Sequence, residues 1–304
     1  MQVRWSTARD IHHNLALEEW WVDHFDARGP VLLFHVSDPA LVVGKNQNPW
    51  REAATGWARR EGVPVGRRIS GGGTVFHDAG NLNFTLIQSR NDYEQGAVFA
   101  RCLAALRALG LEAGLLGGNS LAVHGKKISG TAFCFRGSAA LHHGTMLVNA
   151  DLDRLRRAMI PALPDIQTRA IPSKPASVAN AALLADGIDM ERVARSLAGY
   201  LAGRHDWDAL ETPSDDDFAE LLARHQSWAW TFGHTPVFEW ALESASATLR
   251  LHVEKGMVAG AVCAWCRDRE ESIDALIGCP FEADALSRRL AGTEWPALLA
   301  ARDF

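Results

Sequence analysis

Residues Arg67 to Asn83 read RRISGGGTVFHDAGNLN, and the way this stretch is read decides the fold. Three consecutive glycines forfeit side-chain packing and weaken any strand that holds them, so the backbone here is suited to close approach by another group. Apolar and polar residues alternate over Val65 to Gln88, interrupted by the glycine run and by Asp78-Ala79-Gly80-Asn81. That pattern predicts strands joined by tight turns. Neither GxxxxGK[ST] nor a GxGxxG opening a helix is present, so the common nucleotide loops do not explain the glycines. Exposed N–H groups beside Arg67 and Arg68 suit a phosphate, a carboxylate or their mixed anhydride. The plain alternative is a glycine-rich turn flanked by solvated arginines.

The 304 residues are 47% hydrophobic and 22% charged, enough chain for one large domain and a small one with a sizeable core. A formal net charge of −5, with no clustered Lys/Arg stripe, gives no field for nucleic acid. The first residues lack a basic segment followed by an apolar one, and no run of about 18 uncharged apolar residues occurs, so no membrane segment and a cytoplasmic protein are expected. Five cysteines, an odd number, argue against a secreted disulfide framework.

Working outward, Asp10 to His24 places Ile11, Leu15, Leu17 and Trp21 mostly on one side and predicts a helix. Val31 to Val36 and Ala40 to Val43 read as short buried strands. Tyr93 to Leu109 reads as an amphipathic helix, Asn119 to Phe135 alternates around a Gly125 turn, and His143 to Val148 is a further strand. Leu152 to Met159 follows the Asp151 cap as a short helix. The polar, Pro-broken stretch Gln167 to Ala176 reads as a long loop of the functional or mobile kind. Helices at Met190 to Ala202 and Asp215 to His225 follow. A hairpin Ala247 to Glu254 with Met257 to Ala264 then precedes helices at Ser272 to Leu276 and Glu282 to Leu290. Residues 1–236 are expected to form the main domain and 240–304 a small α/β domain, joined through Thr231 to Pro236.

Two further constellations carry chemistry. In GNSLAVHGKKISGTA, Gly118 to Ala132, Lys127 opens a run of small residues where backbone and ligand can come close around one ammonium. Such a cation suits a phosphoryl group or developing oxyanion, although a solvated lysine pair on a hairpin is the ordinary reading. His142 and His143 are adjacent on a strand and point to opposite faces, so they do not readily share a metal. Cys263-Ala-Trp-Cys266 has the CxxC form, with Cys279 a formal third ligand, but it ends a strand without a second pair and reads as buried thiols.

Taken in order, RRISGGGTVFHDAGNLN, GKKISGTA and LHHGTMLVNADLDRL resemble the lipoate-protein ligase A family, within the wider group of biotin and lipoate ligases. NLALEEWW, VVGKNQNPWREA, IPSKPASVANAALL, SWAWTFGHTPVF and LRLHVEKGMVAGAV are similar to family segments as well, so the resemblance spans essentially the whole chain. It implies an α+β, class II synthetase-like catalytic domain with mixed, largely antiparallel sheets flanked by helices, plus a small C-terminal α/β domain. It also implies two-step chemistry: lipoate or octanoate is activated by ATP, with Mg²⁺, to acyl-AMP. A lysine of an apo lipoyl domain, in the E2 subunit of a 2-oxoacid dehydrogenase or the glycine-cleavage H protein, then takes the acyl group. The enzyme is expected to be a monomer.

By the same resemblance Lys127 is the catalytic lysine and Lys126 its exposed neighbour. Arg68, Ser70, Gly71, Gly72, Gly73, Thr74, Val75, Phe76, His77, Asn83, Asn119, Thr131, Ala132 and His143 are implied to surround the acyl-adenylate. Alternation alone offers Leu33, Val43 and Leu147 as an apolar tunnel for the acyl tail. Many members have Asp after the Asn of the second motif, where this chain has Ser120; if that acid helps to hold Mg²⁺ near the phosphates, the ion is bound more weakly or differently here, and its ligands are left open. The tail after Pro280 is short for the family's small domain. The competing readings are an octanoyltransferase using Cys134 as thioester nucleophile, and a silent lipoate-binding protein. Biotin ligation is disfavoured because RRISGGG replaces that group's GRGRxGR motif.

Overall fold

The computed structural model describes residues 1–265, 269–302 and 304. Its centre is an eight-stranded sheet in the order Asp208–Leu210, Gln2–Ser6, Val31–His35, Asn81–Ser89, Ala139–Leu147, Lys126–Arg136, Ser120–Val123, Ala113–Leu116. The first two pairings are parallel and the rest antiparallel. One face is covered by helices Gln95–Ala108 and Met190–Ala202, whose Phe99, Leu106, Val193 and Leu197 share a core with Leu32, Phe34, Phe84 and Met146. The other face takes helices Ile11–Asp23 and Asp216–Gln226 around Leu17, Trp20, Val31, Leu33 and Phe218. Alternate side chains of each strand thus feed two cores, which is why the central strands read as nearly continuous apolar runs.

Local chemistry sets the element ends. Asp10 caps the first long helix by accepting from His13 N at 2.7 Å, and Gly203, at φ 71°, ends the helix Met190–Ala202. The His124-Gly125 and Lys255-Gly256 pairs both have positive φ, as a two-residue hairpin turn of type I′ requires. Beside the large sheet stands a three-stranded one, Val65–Arg67, Ala40–Val43, Val75–His77, so the glycine run connects two strands of a small separate layer.

A five-stranded sheet, Gln167–Thr168, Phe238–Glu243, Ala247–Glu254, Met257–Trp265 and Arg269–Ser272, carries the second apolar body. Its core joins Phe238, Trp240, Leu251 and Phe281 to Trp50, Leu163 and Ile166, so it draws on chain positions well before 240. The helix expected over Ser272 to Leu276 is instead the end of an edge strand followed by a single 3₁₀ turn, Asp274–Leu276. Arg269 to Ser272 is fully exposed and pairs along one side only, so backbone pairing with Val262 to Trp265 decides its conformation. A helix Trp295–Ala300, entered through Pro296, closes the body. Cys263 and Cys279 lie buried in this core, whereas Cys266 lies outside the described residues.

Candidate active site

The two arginines of the opening motif are not solvated. Arg67 is fully buried: Nε donates to Thr231 O at 2.8 Å, one terminal nitrogen to the carbonyls of Gly44, Lys45 and Gln47 at 3.0 Å, and the other to Thr235 Oγ1 at 3.1 Å. Arg68 turns its guanidinium back on its own loop, donating to Ser70 Oγ and to the carbonyls of Val42, Gly71 and Gly73 at 2.6 to 3.1 Å. A turn of bare glycines cannot pair its own carbonyls, and a planar fork of five donors supplies what it lacks. Gly72, at φ 85°, provides the left-handed residue that brings those carbonyls round.

Two cavities meet beside this loop. The first, of about 500 Å³, lies between the large sheet and the three-stranded one, with Leu15, Glu18, Val42, His77, Asn83 and His143 on its walls. The second, of about 690 Å³, is walled by Phe76, Leu147, Leu155 and Met159, with Arg51 and Arg156 also on its lining. Thr74, Val75, Lys127, Gly130, Thr145 and the segment 172–177 belong to both.

Lys127 owes its place to a bulge and a glycine. On the strand Lys126–Arg136 the register shifts so that Lys127 stands opposite Ala122 while Ser129 stands opposite Leu121, leaving Ile128 as the extra residue. A bulge re-aims the neighbouring side chain, and the Lys127 ammonium lies over Gly130, where a Cβ would stand only 2.7 Å from Nζ. Burial, and then the positive charge of Arg68, pull the Lys127 pKa below the ordinary lysine value. Lys126 is exposed.

The segment 171–177 crosses both cavities as a strap. Lys127 N donates to Ser177 O at 2.8 Å at one end, and Thr74 N donates to Ser173 Oγ at 3.0 Å at the other. Gln47 ties the second attachment together. Its amide donates to Ser173 Oγ, Ile171 O and Glu52, while its carbonyl accepts from Gly44 N and Thr74 Oγ1. Ser173 N in turn donates to Glu52 Oε2 at 2.8 Å.

The inner end of the first cavity is polar. Glu18 reaches His143 Nδ1 at 2.9 Å, accepts from the Thr85 hydroxyl and faces His35, and His143 Nε2 shares a 2.6 Å hydrogen bond with Ser70 Oγ. Burial pushes the Glu18 pKa up, but His143 and His35 outweigh it and hold the carboxyl well below its usual range. His77 has a buried Nδ1 with no partner; burial, reinforced by the positive side of His35 and Arg68, pulls its pKa to about 3. His142 points the other way, to Tyr93 OH at 2.9 Å and against Phe99, so the His pair does divide between two faces.

The fold thus gathers most of the residues singled out from the sequence. Arg68, Gly72, Gly73, Thr74, Val75, His77, Asn83, Asn119, Lys127, Thr131, Ala132 and His143 line the first cavity, and Phe76 lines the second. Ser70 and Gly71 line neither: they sit behind the wall, holding His143 and Arg68. The apolar tunnel is displaced from its expected residues. Leu33 belongs to the helix-covered core, Val43 is buried off both cavities, and Leu147 lines the second. Val42, one residue from Val43, is on the wall instead, because a shift of one position exchanges strand faces. Glu18, His35 and Gln47 were not singled out, although Glu18 and Gln47 sit in the family-like segments NLALEEWW and VVGKNQNPWREA; the strap, apart from Ser177, falls in the stretch Gln167 to Ala176 read as a functional or mobile loop, without any residue of it being named for the site.

The family profile described as lipoyl protein ligase A/B catalytic domain matches residues 10–202. The chain belongs to that family. Among solved structures it is similar to Plasmodium falciparum LipL1 in complex with lipoate, at TM-score 0.68 and 23% identity, over 99% of this chain and 98% of that one. A bipartite lipoate protein ligase from Thermoplasma acidophilum, studied with its E2 lipoyl domain, matches at TM-score 0.63 and 25% identity over 76% and 96%. A lipoate-protein ligase A bound with ATP matches at TM-score 0.61 and 24% identity over 76% and 98%. No helix among the described residues is long and apolar enough to cross a membrane.

The Mg²⁺ that the family resemblance implies finds no free carboxylate on these walls. The ion wants carboxylate and other oxygen ligands. Glu18 is spent on His143, His35 and Thr85, and Glu52 on Gln47 and the Ser173 amide. Position 120 offers only the Ser120 hydroxyl, which donates to Asn119 Oδ1 at 3.4 Å. Among the described residues no group of three or more His, Cys, Asp or Glu side chains converges for a metal.

Proposed function

We propose that the protein is an ATP-dependent lipoate-protein ligase. It joins the carboxylate of lipoate or octanoate to AMP and then transfers the acyl group to a lysine of an apo lipoyl domain. The observation that carries this reading is the position of Lys127 on the wall shared by two cavities. The first takes the acyl chain and the second the nucleotide, so the acyl carboxylate and the α-phosphate meet at one ammonium. A carboxylate oxygen attacks the α-phosphorus, the bond to the β-phosphate oxygen breaks, and pyrophosphate leaves. The acceptor amine then attacks the acyl carbonyl and AMP departs. Lys127 stabilises the charge that develops on phosphate and carbonyl oxygens in both steps, and no covalent enzyme intermediate is needed.

The lipoate, ATP and lipoyl domain named with the similar structures support this assignment. The acceptor on this reading is an E2 subunit or the glycine-cleavage H protein, and the enzyme works as a cytoplasmic monomer, residues 240–304 serving as an accessory domain to a catalytic domain over 1–236. The octanoyltransferase alternative loses its nucleophile: Cys134 lies on neither cavity wall but packs on the core around Trp20 and Leu141. Burial also pushes its thiol up to about 11, leaving little thiolate at neutral pH.

The test is incubation with ATP, Mg²⁺, lipoate and an apo lipoyl domain, followed by pyrophosphate release and the mass of the acceptor. The wild type releases pyrophosphate and adds one lipoyl group, Lys127→Ala does neither, and Cys134→Ser behaves as wild type. Pyrophosphate release at the wild-type rate from Lys127→Ala refutes the role of the lysine. Acyl transfer from octanoyl-carrier protein without ATP, lost in Cys134→Ser, would establish the transferase instead.

A further inference from the structure

We infer that the second cavity contains a polyphosphate subsite made of this chain's own cations, Arg51, Lys174 and Arg156 with the Ser129 hydroxyl, in place of a carboxylate-held Mg²⁺. The inference rests on the reading of that cavity as the nucleotide chamber, and it adds where the β- and γ-phosphates go. If the α-phosphate sits at Lys127, the two remaining phosphates extend along walls that carry three more basic side chains. Arg51 projects from the short helix Pro49–Glu52, and Lys174 stands on the strap between Pro172 and Pro175. Neither has an ion pair among the described residues. Arg156 is paired with Asp153, but both side chains are mostly exposed, at 62% and 92%, so that bond is weak and exchangeable.

A second, independent observation points to a ligand. Ser129 is 1% exposed, lines the same cavity and has a hydroxyl without a hydrogen-bond partner. Buried hydroxyls are ordinarily paired, and a phosphate oxygen would complete this one. The one carboxylate on the wall, Glu52, is already engaged. Guanidinium groups pair with phosphate oxygens in bidentate fashion, and a flexible lysine on a strap can follow the leaving group outward.

The probe is inorganic pyrophosphate, titrated against the full-length protein in EDTA by calorimetry, with lipoate titrated separately. Pyrophosphate is expected to bind in EDTA. Arg51→Ala with Arg156→Ala, two side chains that line the second cavity and not the first, weakens it by about tenfold or more while lipoate affinity holds, and Arg51→Lys with Arg156→Lys restores it. Binding that appears only when Mg²⁺ is added overturns the inference, as does unchanged binding in the double alanine variant with an unchanged unfolding midpoint. Formation of lipoyl-AMP by the wild type from lipoate and MgATP separates the two readings. A wild type that makes it, with a double variant unimpaired in pyrophosphate binding, refutes the subsite alone; a wild type that makes none refutes the ligase reading and the subsite together.

Discussion

The contact between Lys127 and Gly130 permits a perturbation that moves the Lys127 ammonium, to which we assign the charge stabilisation, without touching it. In Gly130→Ala the new Cβ would stand 2.7 Å from Nζ and 2.9 Å from Cε, against ordinary contact at 3.4 Å and beyond. Backbone strain does not enter, because Gly130 is not among the positive-φ residues. The flexible end of Lys127 yields instead and retreats by about 0.7 Å or more, the gap between those two distances. A misplacement on the order of 1 Å at a reacting centre costs roughly 10²-fold in rate, or about 2.7 kcal/mol of transition-state stabilisation. Stability moves the other way or not at all, since alanine stiffens the unfolded chain by about 0.4–1 kcal/mol where its conformation is allowed. Lipoate-dependent exchange of pyrophosphate into ATP reads the first quantity, and urea unfolding the second. A Gly130→Ala protein with wild-type exchange, or one whose loss of exchange tracks a loss of folded protein, refutes the claim that this glycine positions the ammonium.

Two other outcomes follow from the same walls. His77 has its folded pKa depressed from 6.5 to about 3, so on acidification the unfolded chain takes up the proton first; the contribution to stability is complete above pH 6.5 and is lost as pH falls toward 3. His77→Gln is therefore expected to flatten the decline of unfolding free energy by about 1.4 kcal/mol per pH unit between roughly pH 6 and 4, and an unchanged slope by urea titration contradicts the assignment. Gln47→Ala strips partners from Thr74, Glu52 and Ser173 at once. It is expected to cost about 1–3 kcal/mol of stability and to expose the strap 171–177 to limited proteolysis, with equal protease resistance counting against the strap's attachment.

Much of the architecture could be read from local pattern because local chemistry sets it. The Asp10 cap, the Gly125 and Gly256 turns and the two-sided strands each express a preference held within a few residues. What could not be read depends on distant partners. Glu18 is one of two adjacent glutamates in the first helix, and His35, Thr85 and His143, the last 125 residues on, make it part of the cavity floor while Glu19 bonds to Arg136, Arg224 and His225 on the other side. The bulge at Ile128 leaves no mark in the sequence, yet it decides which way Lys127 faces. The choice between Val42 and Val43 is one of strand parity, which two equivalent valines cannot reveal. Trp50, in a segment that otherwise serves the cavities, goes to the core of the C-terminal sheet because Phe232, Phe238 and Phe281 surround its ring.

Arg67 gives the molecule a mechanical property. One guanidinium holds Thr231 and Thr235, on the joint leading to the five-stranded sheet, and the turn Gly44–Gln47, whose glutamine grips the strap. Its own carbonyl takes the indole N–H of Trp230 at 2.7 Å, closing the ring from the other side. A torque on the C-terminal sheet must turn about this rivet or shear it, and shearing leaves buried charged donors unpaired. Strain at the joint therefore reaches the strap across the two cavities through one side chain.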